Sequence, residues 1–298
     1  MRFEIVTIFP GFFAGIFENG ILRRALAEGL VTVGVHDLRA FTHDRHRTVD
    51  DRPFGGGEGM VLKAEPLAEA LASLGILPRA EREASSPTLA LEEKRKDGAP
   101  SSIEGTRVIL LSAQGRRFTQ AVARELAGLG GVKLDRVVLI CGRYEGVDER
   151  INELYCDIEL SIGDYVLSGG ELAAAVVVDA VMRLIPGVLG NEASGEFESF
   201  GVADAEISSD TEGVPRSQHG AGGLLDYPHY TRPAEFGGLR APEVLMNGDH
   251  QQIRRWRREQ QLRKTLANRP DLLEGAALSA EDRRLLGAIR TQSGRKND

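Results

Sequence analysis

The sequence predicts an α/β protein: a layer built on a mainly parallel sheet, followed by a small all-α C-terminal domain. Three observations predict it. Apolar runs of strand length at residues 5–9, 31–35, 107–111 and 136–141 alternate with segments whose apolar residues recur at helical spacing. That alternation is the pattern of a parallel sheet with crossover helices. Residues 172–184 are apolar almost all round, as befits a helix buried against a sheet or a second subunit. After Gly223 the periodicity is helical and no convincing strand follows.

Along the chain, residues 5–9 form the first predicted strand, which Pro10-Gly11 ends. Ile21, Leu22, Ala25 and Leu26 place a helix over residues 20–28, stopped by Gly29. Residues 31–35 alternate as a strand does, and residues 64–74 form an amphipathic helix with Glu65-Pro66 in its first turn. Residues 78–105 combine Pro, Ser, Ala and mixed charge without periodicity, so a solvated insert is expected. The strands at 107–111 and 136–141 flank a helix over 119–129. Two glycine-bearing turns follow, GRYEG at 142–146 and SIGDYVLSGG at 161–170, each after an apolar run. Residues 191–222 are rich in Gly, Ser and acids and are expected to be a mobile linker. The predicted organisation is therefore a first domain over 1–190, a linker over 191–222 and a helical domain over 223–298.

With 298 residues, 42% apolar and 27% charged, the chain has ordinary globular composition and enough length for a sizeable core. The start MRFEIVTIFP carries Glu4 and Pro10 and does not read as a signal peptide. No apolar run approaches the ~20 residues that span a bilayer, so a cytoplasmic protein without membrane contact is expected. Cys141 and Cys156 are too far apart for a C-x-x-C site, and two cysteines make no disulfide framework. The net charge of −7 argues mildly against a nucleic-acid partner, but the average hides a basic segment. Arg254, Arg255, Arg257, Arg258, Arg263, Lys264 and Arg269 stand there against one acid, Glu259.

Neither glycine turn is a phosphate cradle: there is no G-x-x-x-x-G-K-[ST], and no G-x-G-x-x-G opens a helix after a strand. A cofactor held here would be gripped by backbone groups in bent loops. Ile162, Tyr165 and Leu167 offer apolar walls, while Gly142, Gly146, Gly163, Gly169 and Gly170 let the backbone approach closely. Tight turns at strand ends would use glycines in the same way.

These turns do not stand alone. IVTIFPGFF at 5–13, HDLRAFTHDRHRTVDDRPFGGGEGM at 36–60 and LLSAQGRRFTQ at 110–120 precede them. GLLDYPHYTRP at 223–233, PEVLMNGDH at 242–250 and IRRWRREQQLRKT at 253–265 follow. In this order and approximate spacing the chain resembles the bacterial tRNA (guanine-N1)-methyltransferases of the SPOUT superfamily, over all but two inserts and the last few residues. The resemblance implies a deep trefoil knot where residues 142–170 thread one another, a feature sequence periodicity never shows. It also implies a homodimer with the active site at the interface. The implied reaction is methyl transfer from S-adenosylmethionine to N1 of guanine 37, immediately 3′ of the anticodon of tRNA. It assigns the cofactor pocket to the residues above together with Leu111, Ser112, Gly115, Tyr144 and Glu145. Ala113 departs from it, standing where the family usually has Pro, and so does Glu58, where the family commonly has a neutral residue. Dependence on Mg²⁺ comes with the resemblance, although no dedicated ligand cage is legible.

Methylating guanine N1 requires removal of a weakly acidic proton by a general base and a cation near O6 for the charge that develops. Arg183 matches the family's essential arginine; position alone would make it a helix C-terminal cap. The family places an Asp before Ser-Phe, and here the matching residue is Glu198, ahead of Ser199-Phe200. Asp204, Asp210 and Asp226 are the alternative bases. His43, His46, Asp50 and Asp51 have no tetrahedral zinc spacing, and Arg45 and Arg47 would repel a cation. With the loop 55–59, Gly59 among it, they are expected to form a polar rim near the substrate, to which Asp226 also contributes. On a helical wheel Arg254, Arg257 and Arg258 share a basic face extended by Lys264, opposite Trp256, Leu262 and Leu266, with Arg255 and Arg263 intruding on the apolar arc. Such a face meets tRNA phosphates, and an anticodon loop offers unstacked bases that can be turned out into a pocket. Two rivals remain, a methyltransferase of ribose or ribosomal RNA and a non-catalytic RNA-binding protein. The Glu198-Ser199-Phe200 and GLLDYPHYTRP segments speak against the first, the intact turns and Arg183 against the second.

Overall fold

The computed structural model describes residues 1–85, 105–129, 134–190, 198–201 and 222–294. The chain divides into two compact units, Met1–Gly190 and Asn191–Asp298. In the first, β1 (Arg2–Thr7), α1 (Gly20–Ala27) and β2 (Thr32–Asp37) are followed by a two-residue pair, β3 (Asp50–Asp51) and β4 (Val61–Leu62). Then come α2 (Ala64–Ser73), α3 (Arg79–Ser85), β5 (Thr106–Arg117), α4 (Gln120–Leu126), β6 (Arg136–Cys141), α5 (Glu149–Tyr155), β7 (Ile158–Ser161) and α6 (Glu171–Met182). The sheet order is β2-β1-β6-β5-β7, parallel throughout.

Both faces of this sheet are covered, which explains its strands. Phe3, Ile5, Ile109, Leu111, Val137 and Leu139 enter one core with Ala25, Leu126, Val177 and Val181 from α1, α4 and α6. Their neighbours Val6, Val108, Leu110, Val138 and Ile140 enter the other, with Leu67 and Leu71 of α2 and Ile151 of α5. Alternate residues point to opposite faces, so two-sided burial turns each strand into a continuous apolar run.

Several boundaries differ from the sequence reading. The first strand is Arg2–Thr7 rather than 5–9, because Pro10 already opens a 3-10 turn, Pro10–Phe13. The strand at 107–111 continues to Arg117: β5 lies between β6 and β7 over Ile109–Leu111, and past an irregularity between Leu111 and Arg116 it pairs with β7 again. The stretch expected to be a solvated insert from residue 78 begins instead with α3, tied down by Arg82. That guanidinium is buried; it donates to the carbonyls of Tyr155 at 2.6 Å and Leu77 at 3.1 Å and pairs with Asp157 at 3.0 Å. The rest of the insert, 86–104, lies outside the described residues. In α6, Ala173, Ala174, Val177, Val178 and Val181 are buried, while Leu172 and Val176 stay exposed.

The second unit contains a short hairpin, β8 (Glu235–Phe236) and β9 (Leu239–Arg240), then α7 (His250–Asn268) and α8 (Ala280–Gly294). The expectation of an all-α domain is corrected by this hairpin. Its turn uses Gly237 and Gly238 at φ +59° and +80°, the paired positive φ that a two-residue hairpin turn requires. The core is Leu224, Leu262, Leu286 and Ile289. Asp249 caps α7, accepting from the amides of Gln251 at 2.9 Å and Gln252 at 3.1 Å. Of the expected linker, 191–197 and 202–221 lie outside the described residues. Among the described residues, no helix is long and apolar enough to cross a membrane.

Candidate active site

The irregular middle of β5 and the carboxyl ends of β6 and β7 meet around a cavity of about 420 Å³. Crevices beyond the carboxyl ends of parallel strands are where open α/β sheets bind ligands, and sites for small molecules run from about 300 to 1,000 Å³. Leu111 and Ser112 line it from β5, and Gly142, Tyr144, Glu145 and Gly146 from the turn after β6. Ile162, Gly163, Tyr165, Leu167, Gly169 and Gly170 line it from the turn after β7. Of the residues expected to hold a cofactor, Gly115 alone stands behind the lining. A Cβ there would come within 2.5 Å of the Glu159–Leu160 backbone, so its glycine keeps β5 against β7.

The two turns are joined backbone to backbone. The Gly170 amide donates to the Gly142 carbonyl at 2.9 Å, and Arg143 and Gly169 form an antiparallel bridge. A Cβ on Gly170 would sit 2.8 Å from Cys141 Cα, closer than real Cβ contacts come. Tyr144 adopts φ +60° within its turn, an uncommon conformation for a side-chain-bearing residue that cavities and tight turns retain. Arg117 pairs with Asp164 and steadies the second turn.

Sequence reasoning missed the group that locks the turns. Arg143 Nε donates to Glu171 Oε2 at 2.9 Å, and Thr7 Oγ1 donates to Glu171 Oε1 at 2.8 Å. Arg143 also donates to the Ser168 carbonyl at 3.0 Å and lies over the Phe9 ring, 4.6 Å from its centroid. Glu171 is buried in the first turn of α6, where a carboxylate also meets the favourable end of the helix dipole. Burial, with Glu171 nearby, pushes the Cys141 thiol well up. Burial and Asp157 push Cys156 up to about 12. Both cysteines are unreactive thiols rather than nucleophiles.

A third loop reaches the same turn. The Glu145 amide donates to the Met60 carbonyl at 3.0 Å and the Leu62 amide to the Gly146 carbonyl at 3.0 Å. Gly59, at φ +84°, lies against Glu145, where a Cβ would collide. His43, expected at the polar rim, pairs with Glu69 at 2.8 Å. Among the described residues no group of three or more His, Cys, Asp or Glu is placed to hold a metal ion. Arg183 is the half-buried C-cap of α6.

In the second unit, Glu198 sits on a turn closed by the Gly201 amide donating to its carbonyl at 3.0 Å. That turn is pinned to the segment after Gly223. The Phe200 amide donates to the Leu224 carbonyl at 2.9 Å, and the Asp226 amide to Ser199 Oγ at 2.9 Å. The Leu225 amide in turn reaches Thr265 Oγ1, buried in α7, at 3.0 Å. Two candidate bases, Glu198 and Asp226, therefore share one framework. The other two, Asp204 and Asp210, lie outside the described residues. Asp226 pairs with His229 at 3.0 Å.

The basic helix departs from its wheel. Arg258 grips Asp282 of α8 through Nε at 2.8 Å and Nη2 at 3.0 Å. It stands three and four residues before the buried Gln261 and Leu262, hence on their face. Arg255, expected on the apolar arc, is instead 70% exposed, while Arg254 and Arg257 are half-buried. Burial raises the Asp282 pKa, yet the hydrogen bonds from Arg258 and Ser279 outweigh it and hold the carboxyl below its ordinary 3.8. A carboxyl depressed by folding stabilises above its unfolded pKa, and that contribution is lost as pH falls through the folded value. Asp282→Asn should lower the melting temperature at neutral pH, and its gap from the unmodified protein should shrink as pH falls below 3.8. A gap that stays constant with pH would rule this account out.

The description "tRNA (Guanine-1)-methyltransferase TrmD" belongs to a family model that matches residues 1–275. A tRNA (guanine-N(1)-)-methyltransferase of Koribacter versatilis is 54% identical over 290 residues, covering 97% of this chain and 98% of that protein. Proteins of the same name from Geotalea uraniireducens and Geobacter sulfurreducens are 46% and 44% identical, covering 99% and 97% of this chain and 99% and 98% of their own lengths.

Proposed function

This chain belongs to the tRNA (guanine-1)-methyltransferase family, and from that premise we infer that it methylates N1 of guanine in tRNA, with S-adenosylmethionine as donor and the guanine next to the anticodon as target. The observation that carries the reading is the cavity formed by the joined turns. Glycines admit a ligand to backbone hydrogen-bonding groups, Leu111, Ile162 and Leu167 supply apolar walls, and the Arg143 charge is already met by Glu171. A sulfonium fits such a wall, where a free cation would repel it.

S-adenosylmethionine, when bound, supplies a methyl group on a positively charged sulfur. Glu198 is proposed to take the N1 proton of guanine, leaving the N1 lone pair to accept the methyl group. Arg183 is proposed to balance the charge that builds on O6. Arg254 and Arg257 are proposed to meet tRNA phosphates; Arg258 is engaged with Asp282. Gly59 and Asp226 are proposed to line the place of the target base. Mg²⁺ finds no ligand cluster among the described residues, and no step here runs through it. A trefoil knot over 142–170 is supported by the contacts between the two turns. A homodimer with its active site at the interface is supported by Leu172 and Val176, apolar yet exposed on α6. The cytoplasm is the proposed location.

The test is transfer of labelled methyl from S-adenosylmethionine to two tRNA transcripts that differ only in the guanine after the anticodon. Label in the guanine transcript alone supports reaction and target together. Label in both would redirect the target, and label in neither, with the donor bound, would end the reading.

A further inference from the structure

Two turns of α7 and the segment before the hairpin bring four aromatic rings together. Tyr227 and His229 lie 4.7 Å apart at 44°, and Tyr230 and Trp256 lie 6.3 Å apart at 58°. None of these pairs is face to face, and His229 and Tyr230 carry the exposed rings, with Tyr227 and Trp256 half-buried behind them. Tyr230 is 51% exposed and the His229 side chain 68%. The Arg257 guanidinium lies 4.9 Å over the Tyr227 ring, and its Nε is buried with no hydrogen-bond partner. An orphaned buried donor costs about 1–3 kcal/mol, which a guanidinium would avoid by turning outward unless its position over the ring served something. Arg254 and Arg255 stand in the same turns. Open aromatic faces amid guanidinium groups suit single-stranded nucleic acid: bases stack on the rings and cations hold the phosphates.

We propose that the exposed rings of His229 and Tyr230, backed by the half-buried Tyr227 and Trp256, form a stacking platform for unpaired bases of the RNA substrate, with Arg254 and Arg257 holding the phosphates beside them. This rests on the tRNA reading and names the part of the RNA that the second unit takes: splayed loop bases, not the duplex stem. Asp226, paired with His229 and bonded to Ser199, ties the platform to the turn that carries Glu198. A base stacked there fixes where its neighbour in the loop stands.

Trp256 is the chain's one tryptophan, so the fluorescence of the full-length protein reports on this surface. The titrants are a hairpin RNA with an anticodon-type loop containing guanine and a blunt duplex of equal length. Saturable quenching by the hairpin, and little by the duplex, is expected. Tyr230→Ala should weaken hairpin binding about tenfold, within the range measured for loss of one stacked base, and Tyr230→Phe should restore it. Unchanged melting and donor affinity would show that the variants are folded. Equal quenching by the duplex, no quenching at saturation, or Tyr230→Ala binding as the unmodified protein does would each overturn the proposal and leave the rings to a protein partner or to packing. Methyl transfer is assayed on the same preparation. Quenching without transfer would sink the enzymatic reading alone, and transfer without quenching would sink the platform alone.

Discussion

Glu198→Gln is expected to lower the rate of methyl transfer by roughly 10²- to 10⁴-fold, the contribution typical of a general base, while donor binding stays unchanged. Glutamine keeps the length and shape of the side chain, and the backbone bonds and the bond to Ser199 Oγ that hold the turn remain available to it. Arg183→Ala should fall by about 10²- to 10³-fold, as when one group that stabilises developing charge is removed. If both act in one transition state, as proposed, the double variant should be far less impaired than the product of the two losses. Glu198→Asp separates chemistry from reach: it keeps the carboxylate and withdraws it by one methylene. Single-turnover rates with saturating tRNA decide the matter. If Glu198→Gln stays within about twofold of the unmodified enzyme, the base lies elsewhere, and Asp226, on the same framework, is next.

Arg143→Ala is expected to cost about 3–5 kcal/mol of stability, the loss seen when one partner of a buried ion pair is removed. The asymmetry of the pair sets the direction. Glu171 is 1% exposed and Arg143 17%, so the carboxylate left behind has little water to turn to. Glu171→Gln should be the milder change, since the remaining guanidinium keeps its bond to the Ser168 carbonyl and can reach solvent. Arg143→Ala should also weaken donor binding, because the bond from Arg143 to the second turn goes with it. Urea unfolding and donor titration at neutral pH measure both. A loss below about 1 kcal/mol, the size of an exposed pair, would show that the network is ornamental.

The parallel sheet was legible because its strands are buried on both faces, which writes continuous apolar runs into residues 107–111 and 136–141. The two glycine turns that line the cavity were legible because glycines cluster where two segments of the chain are joined, the Gly170 amide to the Gly142 carbonyl at 2.9 Å. The lock behind them was not. Thr7 and Glu171 are 164 residues apart in sequence, and Arg143 in a polar turn carries no local sign of a partner. The helices α3 and α5 were also missed. Each has seven residues, too few to be helical alone, and they form because Arg82 and Ile151 have somewhere to be buried. The hairpin was signalled by Gly237-Gly238 and passed over. Arg258 was misplaced because charge was taken as the mark of the outer face, whereas the register with Gln261 and Leu262 turns it toward Asp282. For Glu198 the sequence offered only the Ser-Phe that follows it; its anchorage to Leu224 and Asp226 is tertiary.

The place of β1 bears on how the chain is made. Its residues pair on one side with β2, Arg2 beside Thr32, and on the other with β6, Arg2 beside Arg136. On a ribosome the first neighbour emerges almost at once, but the second is about a hundred residues later, about 5–20 s at usual elongation rates. For that interval Phe3 and Ile5 flank an open strand edge of the kind that recruits other chains. Nascent chains halted before residue 136 should therefore be the aggregation-prone species, held by chaperones, and release should coincide with emergence of β6.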